Sequence, residues 1–376
     1  MTNQFFPEIR GNFGFGCMRL PMKGGEVDEA EFCRMADAFI EAGLNYFDTA
    51  HPYIGGKSET AFARCVAARY PREAYLLTNK LTAPYFDREE DIVPLLKQQL
   101  ALCGVEYFDF YLMHAQEKNN YDKFQRCRAY ETAFACKEAG LVRHVGISFH
   151  DSPEMLERIL TDHPEIEIVQ IQYNYVDFDD DTVQSNAVYE VCEKHNKPVI
   201  VMEPVKGGSL VNLPKEADSV FRALGGGSNA SYAIRFAASR PNMAMVLSGM
   251  SDLGQMEDNL SFMREFRPLD ATELAAIERV RTIFREMQLI PCTGCRYCVE
   301  ENDCPKAIRI PDIFDAVNRY EKFHGWNIRS RYNNVLTANG SGKASECIRC
   351  GKCERVCPQH LPIRTLLQDA AKMFEN

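Results

Sequence analysis

Eight short apolar runs, each followed by a stretch of helical period, occupy roughly the first 250 residues and limit the fold to very few architectures. They are FGFGCMRL, NYFDTA, AYLLTNK, FDFYLMHA, HVGISFH, IEIVQIQYN, PVIVMEPV and MAMVLSGM. Each is rich in β-branched or aromatic residues, the pattern of strands buried on both faces. The intervening stretches are amphipathic: in EAEFCRMADAFIEAG, Phe32, Met35, Ala36, Phe39 and Ile40 share one helical face. Gly43 and Gly140, each in an E-A-G-L stretch, fit glycines just past helix ends. Eight such units predict an α/β fold, a closed (β/α)8 TIM barrel. A doubly wound open sheet is the alternative, and no G-x-G-x-x-G follows the first run to favour it.

With 376 residues the chain exceeds what one hydrophobic core usually holds. The expected division is a barrel with its linking helix (DATELAAIERVRTIFREMQ) at 1–288, and a small α-rich ferredoxin-like domain at 289–376. Forty-three basic against 53 acidic residues give net −10, which argues against a nucleic-acid or anionic-membrane binder. There is no apolar run of membrane-spanning length, and the start lacks a basic segment followed by an apolar one. A cytoplasmic location is the expectation.

Eight of the fifteen cysteines fall in two groups after residue 290. CIRCGKCERVCP holds Cys347, Cys350, Cys353 and Cys357 in the C-x2-C-x2-C-x3-C-P order of two-cluster bacterial ferredoxins. CTGCRYCVEENDCP holds Cys292, Cys295, Cys298 and Cys304 and lengthens only the last gap. In such pairs the cysteine before proline serves the other cluster. Cys292, Cys295, Cys298 and Cys357 are therefore expected around one [4Fe–4S] cluster, with Cys347, Cys350, Cys353 and Cys304 around the second. Zinc is the alternative, but structural zinc sites use pairs rather than triplets. Clusters imply a reducing, low-oxygen setting, as in an anaerobe. The seven scattered cysteines read as small buried hydrophobes.

Chemistry in a (β/α)8 barrel sits at the carboxyl ends of its strands. There the sequence offers Asp48 and, just beyond, Tyr53, then Lys80 and His114. A tyrosine is a weak acid, and a lysine ammonium beside it favours the phenolate. Asp48 can hold Lys80 while His114 orients a carbonyl, so that Tyr53 donates a proton as hydride reaches the carbon.

LNYFDTAHPYIGGKSE, LLTNKL and FYLMHA together resemble the aldo/keto reductase family, especially its branch similar to potassium-channel β subunits. The resemblance spans roughly residues 10–262. It implies a TIM barrel binding NADPH or NADH without a Rossmann motif, with Asp48, Tyr53, Lys80 and His114 as catalytic tetrad. Ser148 and Gln170 fall where the family contacts the carboxamide, and Met202 where an aromatic ring often stacks on nicotinamide. Phe149 replaces a common asparagine. Lys206 and Gly207 in VKGG suit a pyrophosphate, although a plain glycine connector explains the nearby GGG equally well. In SGMSDLGQMEDN, Gly249, Asp258 and Asn259 match dinucleotide-contacting positions. Gln255 stands where an arginine often grips the 2′-phosphate, which leaves NADH open.

The tail resembles ferredoxin domains. Nicotinamide moves two electrons at once and a [4Fe–4S] cluster one, a mismatch that flavin commonly bridges; no flavin motif is visible. Three readings follow. The first is a nicotinamide-dependent carbonyl reductase or alcohol dehydrogenase acting on a small molecule, with clusters that tune, sense or dock a redox partner protein. The second is a ferredoxin-linked electron-transfer enzyme, with or without flavin. The third is a non-catalytic redox-sensing module. The intact tetrad favours the first.

Overall fold

In the computed structural model, residues 3–180, 183–287, 289–300, 304–323, 326–338 and 340–375 are described. The eight apolar runs form eight parallel strands. They are β1 (Phe13–Gly16), β2 (Tyr46–Asp48), β3 (Leu76–Leu81), β4 (Phe108–Gln116), β5 (Val142–Phe149), β6 (Ile168–Gln172), β7 (Val199–Met202) and β8 (Met243–Gly249). Strands adjacent in sequence are adjacent in the sheet, and β8 pairs with β1 to close the barrel. Several runs outlast their strands because the chain bends away at the carboxyl end. Cys17–Arg19, for example, makes a 3-10 turn. A short hairpin, Met22–Lys23 with Glu26–Val27, turns on Gly24 and Gly25 at φ 61° and 84°; the apolar pattern did not announce it.

Alternation along the strands sorts the lumen into levels. Tyr46, Leu76, Phe110, Leu112, Ile168, Ile200 and Met245 pack together inside. On the same faces, two or four residues further along, come Asp48, Lys80, His114 and Gln170. Apolar residues thus dominate the lower barrel, where Thr78 donates to Tyr46 Oη, and Asp48, Lys80, His114 and Gln170 gather at the carboxyl end. Gly146 on β5 is required here, since a Cβ would lie 2.4 Å from the Ile168 carbonyl oxygen.

The amino end is closed by the segment before β1. Phe6 and Ile9 join the interior cluster, and Phe6 meets Phe110 and His144 edge-on. His144 contacts Glu8 through Nε2 at 2.7 Å and Glu167 through Nδ1 at 2.9 Å.

The chain divides into two compact units, 1–204 with 230–269, and 205–229 with 270–376. The segment that follows β7 therefore groups with the cysteine tail. The expected linking helix is present as Ala271–Met287 and packs on the Lys215–Arg222 helix of the same unit; Gln288 lies outside the described residues. In the tail, helices Ile310–Phe323 and Ile363–Phe374 pack over a core of Ile313, Phe314, Leu336 and Leu367. The Asn318 side chain pairs with both backbone groups of Ile290, at 2.8 and 2.7 Å, and anchors the start of the first cysteine loop. Among the described residues no helix is long and apolar enough to cross a membrane.

With a carboxylate on each nitrogen, His144 is held above the ordinary histidine range although burial opposes this, and Glu167 is held down to about 2. A raised histidine stabilises fully below its unfolded pKa, and that contribution is lost as pH rises through the folded one. The Glu167 contribution is complete above its ordinary value of 4.5 and is lost progressively as pH falls from there through about 2. We expect His144→Gln to cost about 1–2 kcal/mol near pH 6. That cost should shrink steadily toward pH 9; thermal unfolding of both proteins across this range checks it, and a constant difference would exclude the charge effect.

Candidate functional site

At the carboxyl end of the barrel, Lys80 has no solvent exposure, and Asp48, His114 and Tyr53 have 3, 4 and 9%. Lys80 Nζ donates to Asp48 Oδ1 at 2.6 Å, to the Thr49 carbonyl at 2.8 Å and to Tyr53 Oη at 3.1 Å. An ammonium has three hydrogens, and each finds an acceptor here. Burial pushes Asp48 up and Lys80 down, and their mutual attraction opposes both shifts. The threefold donation is the geometry of a charged lysine. Because Tyr53 Oη accepts from Lys80, its own hydrogen points elsewhere.

His114 lies edge-on to Tyr53, with ring centroids 6.0 Å apart. Burial first, then Lys80, hold it well below the usual histidine range, so it is neutral at pH 7. Nδ1 shares a hydrogen with Thr82 Oγ1 at 2.8 Å, which leaves Nε2 for a ligand. The β4–β5 register breaks between Met113 and Gln116, where Ala115 takes φ 50° and donates its N–H to Ser148 Oγ. Such an irregularity re-aims a side chain at a strand end.

A buried polar network behind Lys80 escaped the sequence reading. Glu59 accepts from Asn79 Nδ2 at 2.8 Å and contacts His51 Nδ1 at 2.7 Å. Asn79 Oδ1 accepts from the Lys80 backbone N–H, and Gln99 donates to both Asn79 Oδ1 and the Lys80 carbonyl. Tyr111 donates to Gln99. These groups fix the Lys80 backbone from outside the lumen. The signal available was the polar Asn79 in an otherwise apolar strand run, beside the first-turn Glu59.

Ser148 and Gln170 are register partners on β5 and β6. Ser148 Oγ accepts from Ala115, so its hydrogen can be donated; Gln170 Nε2 donates to Asp48 Oδ2 at 3.2 Å, which directs the amide. Met202 ends β7, and Phe149 is buried. Gln255 closes on its own helix start, accepting from Ser251 N–H and donating to Asp252. Asn259 is buried and donates to Ser248 Oγ at 3.0 Å, tying that helix to β8. Asp258 is half-buried on the same helix. The backbone of Gly249 lies against the Arg19 side chain. Lys206 and Gly207 belong to the second unit. There a Cβ on Gly207 would fall 2.1 Å from the Thr293 carbonyl oxygen.

The tail is an internal repeat. In each half the third cysteine is the second residue of a four-residue helix, Tyr297–Glu300 and Lys352–Arg355. Positive φ recurs on either side of the middle cysteine, at Gly294 and Arg296 (66° and 70°) and at Arg349 and Gly351 (58° and 73°). Three residues past each Cys-Pro cysteine it recurs again, at Ala307 (49°) and His360 (48°), whose N–H groups bond back to Cys304 and Cys357. Left-handed residues beside right-handed ones turn successive N–H groups into a concavity, which suits an anionic group.

One cavity is lined by Cys292, Cys295, Cys298 and Cys357. The other is lined by Cys304, Cys347, Cys350 and Cys353, with Cys298 reaching both. Among the described residues no three ligand side chains close on a point as a single ion needs; the thiols stand around spaces instead. Burial, then Glu354 and Cys347, push the Cys353 thiol up to about 11. Burial and the neighbouring thiols push Cys298 higher still. Thiolates crowded in this way need iron's positive charge to form. The residues fit the group. Of the other seven cysteines, six are buried and Cys33 is half-exposed.

Residues 12–282 match the aldo/keto reductase family. The chain belongs to that family. Residues 291–362 match the 4Fe-4S dicluster domain, so this aldo/keto reductase carries a two-cluster tail. It is 24% identical over 297 residues to the uncharacterized oxidoreductase YqkF of Bacillus subtilis, covering 70% of this chain and 90% of that one. It is 29% identical over 167 residues to mouse aldo-keto reductase family 1 member C13, spanning 39% of this chain and about half (49%) of that relative. Among solved structures, the holo form of aldo-keto reductase AKR11C1 from Bacillus halodurans has TM-score 0.59 at 22% identity, over 72% of this chain and 92% of that one. An aldo/keto reductase from Klebsiella pneumoniae in complex with NADP and acetate has TM-score 0.59 at 18% identity, over 72% and 91%.

The cavity linings assign Cys304 to the second space, although it lies in the first cysteine group. Cys304→Ser is therefore expected to lower bound iron to about half in anaerobic preparations. The surviving EPR signal should be one that Cys295→Ser removes and Cys350→Ser spares. The reverse pattern would break the assignment.

Proposed function

We propose that this aldo/keto reductase interconverts a small-molecule carbonyl and its alcohol with a nicotinamide dinucleotide, and that Tyr53 is the proton donor. The observation that carries the reading is the threefold donation of Lys80, which leaves the Tyr53 proton directed away from it. A nicotinamide dinucleotide bound at the carboxyl end supplies or takes the hydride. Ser148 and Gln170 suit its carboxamide: the serine hydroxyl can donate to the amide oxygen, and Gln170 Oε1 can accept from the amide nitrogen. Met202 sits beside them without an aromatic ring.

The residues act in sequence. In the tautomer where Thr82 donates to Nδ1, His114 Nε2 carries a hydrogen and donates it to the carbonyl oxygen. Tyr53 Oη passes its proton to that oxygen as negative charge develops there. The Lys80 ammonium, 3.1 Å away, stabilises the phenolate left behind, and Asp48 keeps the ammonium in place. In the reverse direction the phenolate takes the alcohol proton. Burial of Asp48, Lys80 and His114 keeps water from them, which strengthens each of these interactions.

Dinucleotide choice is argued from the Leu253–Met263 helix. Its first amides are already taken by carboxylates, Leu253 N–H by Glu31 Oε1 and Gln255 N–H by Asp252 Oδ1. A helix start filled by carboxylates is a poor seat for a 2′-phosphate. This supports NADH over NADPH.

Tyr53→Phe should lower kcat for carbonyl reduction by about 100-fold or more with cofactor affinity unchanged. Steady-state turnover of a carbonyl panel and dinucleotide fluorescence titration measure the two. Wild-type-like turnover in the variant would remove Tyr53 from the chemistry. Gln255→Arg should raise kcat/KM for NADPH relative to NADH by about tenfold, the effect of one added phosphate contact; an unchanged ratio would show that this helix does not read the 2′ position.

A further inference from the structure

The two halves of the cluster tail are built alike but covered differently. The residue after the first cysteine of each triplet is Thr293 in one half, 3% exposed, and Ile348 in the other, 56% exposed. Over Thr293 lies the segment that follows β7, with Gly207 at φ 62° pressed backbone to backbone against it. Ile348, Arg349 and Cys350 are exposed. Lys306, Ile348 and Lys352 line the cavity that Cys304, Cys347, Cys350 and Cys353 surround, and all three are exposed.

The charges at this face are mostly uncommitted. Lys306 and Lys352 form no ion pair among the described residues, whereas Arg364, also on the lining, is paired with Glu354 at 2.7 Å. Lys306, Arg349 and Lys352 thus gather around an exposed isoleucine and an exposed cysteine, on a chain whose net charge is −10. A basic rim around an apolar centre, at a redox group, on an otherwise acidic protein, steers an anionic protein toward that group.

We propose that this face docks a small acidic one-electron carrier protein, which exchanges electrons at the site of Cys304, Cys347, Cys350 and Cys353. The site of Cys292, Cys295, Cys298 and Cys357 is then the internal one. The proposal rests on the tail being a cluster domain and not on the carbonyl chemistry of the barrel. In the reducing direction the carrier loses one electron and the tail gains it; no bond forms or breaks. The contact is of the small, transient class typical of electron-transfer encounters.

The test uses the full chain, purified anaerobically with both clusters, and fully reduced flavodoxin as the acidic carrier. Stopped-flow absorbance at the flavin semiquinone band follows the transfer. At low salt the Lys306→Glu/Lys352→Glu protein should react about tenfold more slowly than wild type. Added salt should slow the wild-type reaction in the same sense. Reduced methyl viologen, a small cation, should not be slowed by the substitutions, and the EPR signals and reduction potentials of the clusters should be unchanged. Equal flavodoxin rates in the two proteins, or a wild-type rate indifferent to salt, would overturn the proposal. So would a shifted potential with slower viologen reduction, which would mean that the lysines act on the cluster itself. A dimer of the wild type that the substitutions dissociate would also overturn it, by making a second copy the occupant. Absence of carbonyl turnover would sink the barrel reading and leave this result standing.

Discussion

A charged lysine with no exposure to water is the constraint around which the barrel is organised. Removing one partner of a buried ion pair typically costs 3–5 kcal/mol, because the other charge is left without compensation. Lys80 avoids that cost only with three acceptors in reach, and they come from Asp48, Thr49 and Tyr53. Two of them sit at or just past the end of β2, and the third a few residues further on. The ion pair therefore demands the β2–β3 register that places Asp48 beside Thr78. Gln170, from across the barrel, takes the other oxygen of Asp48, so closure of the sheet is part of the same requirement. The network of Glu59, Asn79 and Gln99 serves the backbone side of the same residue. Stability and chemistry ask for the same geometry here.

Much of this was legible in the sequence, for a physical reason. Alternation in a strand is local, so once LLTNKL is read as a buried strand, Lys80 must share a face with Leu76 and Thr78. The sets of cysteines were legible because ligand spacing is also local. What escaped reading is what long-range packing decides. Nothing in VKGG announces that the segment after β7 groups with the tail rather than the barrel, because a glycine needed for close approach looks the same as one in a loose connector. Arg296 and Arg349 hide their left-handed backbone, since arginine is not a residue that signals positive φ. These angles extend to the backbone the repeat that the two cysteine groups already show. Gln99 is a similar case: a glutamine in an amphipathic helix reads as solvent-facing, and only the strand behind it turns it inward.

The two chemistries of the chain differ in electron count, and the structure separates them by environment as well. The barrel site is dry, and its one strongly basic group is used to manage a proton. The tail sites lie among thiols and apolar side chains, with Lys306, Lys352 and Arg364 on the lining of one. Hydride transfer needs the first environment and one-electron transfer the second, because proton movement requires a group whose two protonation states are both accessible. Ile308, Ile310, Phe314 and Leu367 supply the apolar part of the two linings.

The difference in cover between Thr293 and Ile348 makes the two halves of the tail unequal. A ferredoxin-like repeat with two equivalent faces would have no direction. Here one face is closed by the 205–229 segment of its own unit. A change in the Cys292–Cys295 loop has Gly207 as its immediate neighbour, and that glycine cannot yield by a side-chain rotation because it has none. Backbone against backbone, so close that a Cβ would fall 2.1 Å from the Thr293 carbonyl oxygen, is a stiff contact. That is the sense in which the covered face differs from the proposed docking face: one is closed by stiff packing within its own unit, the other is open and rimmed by basic side chains.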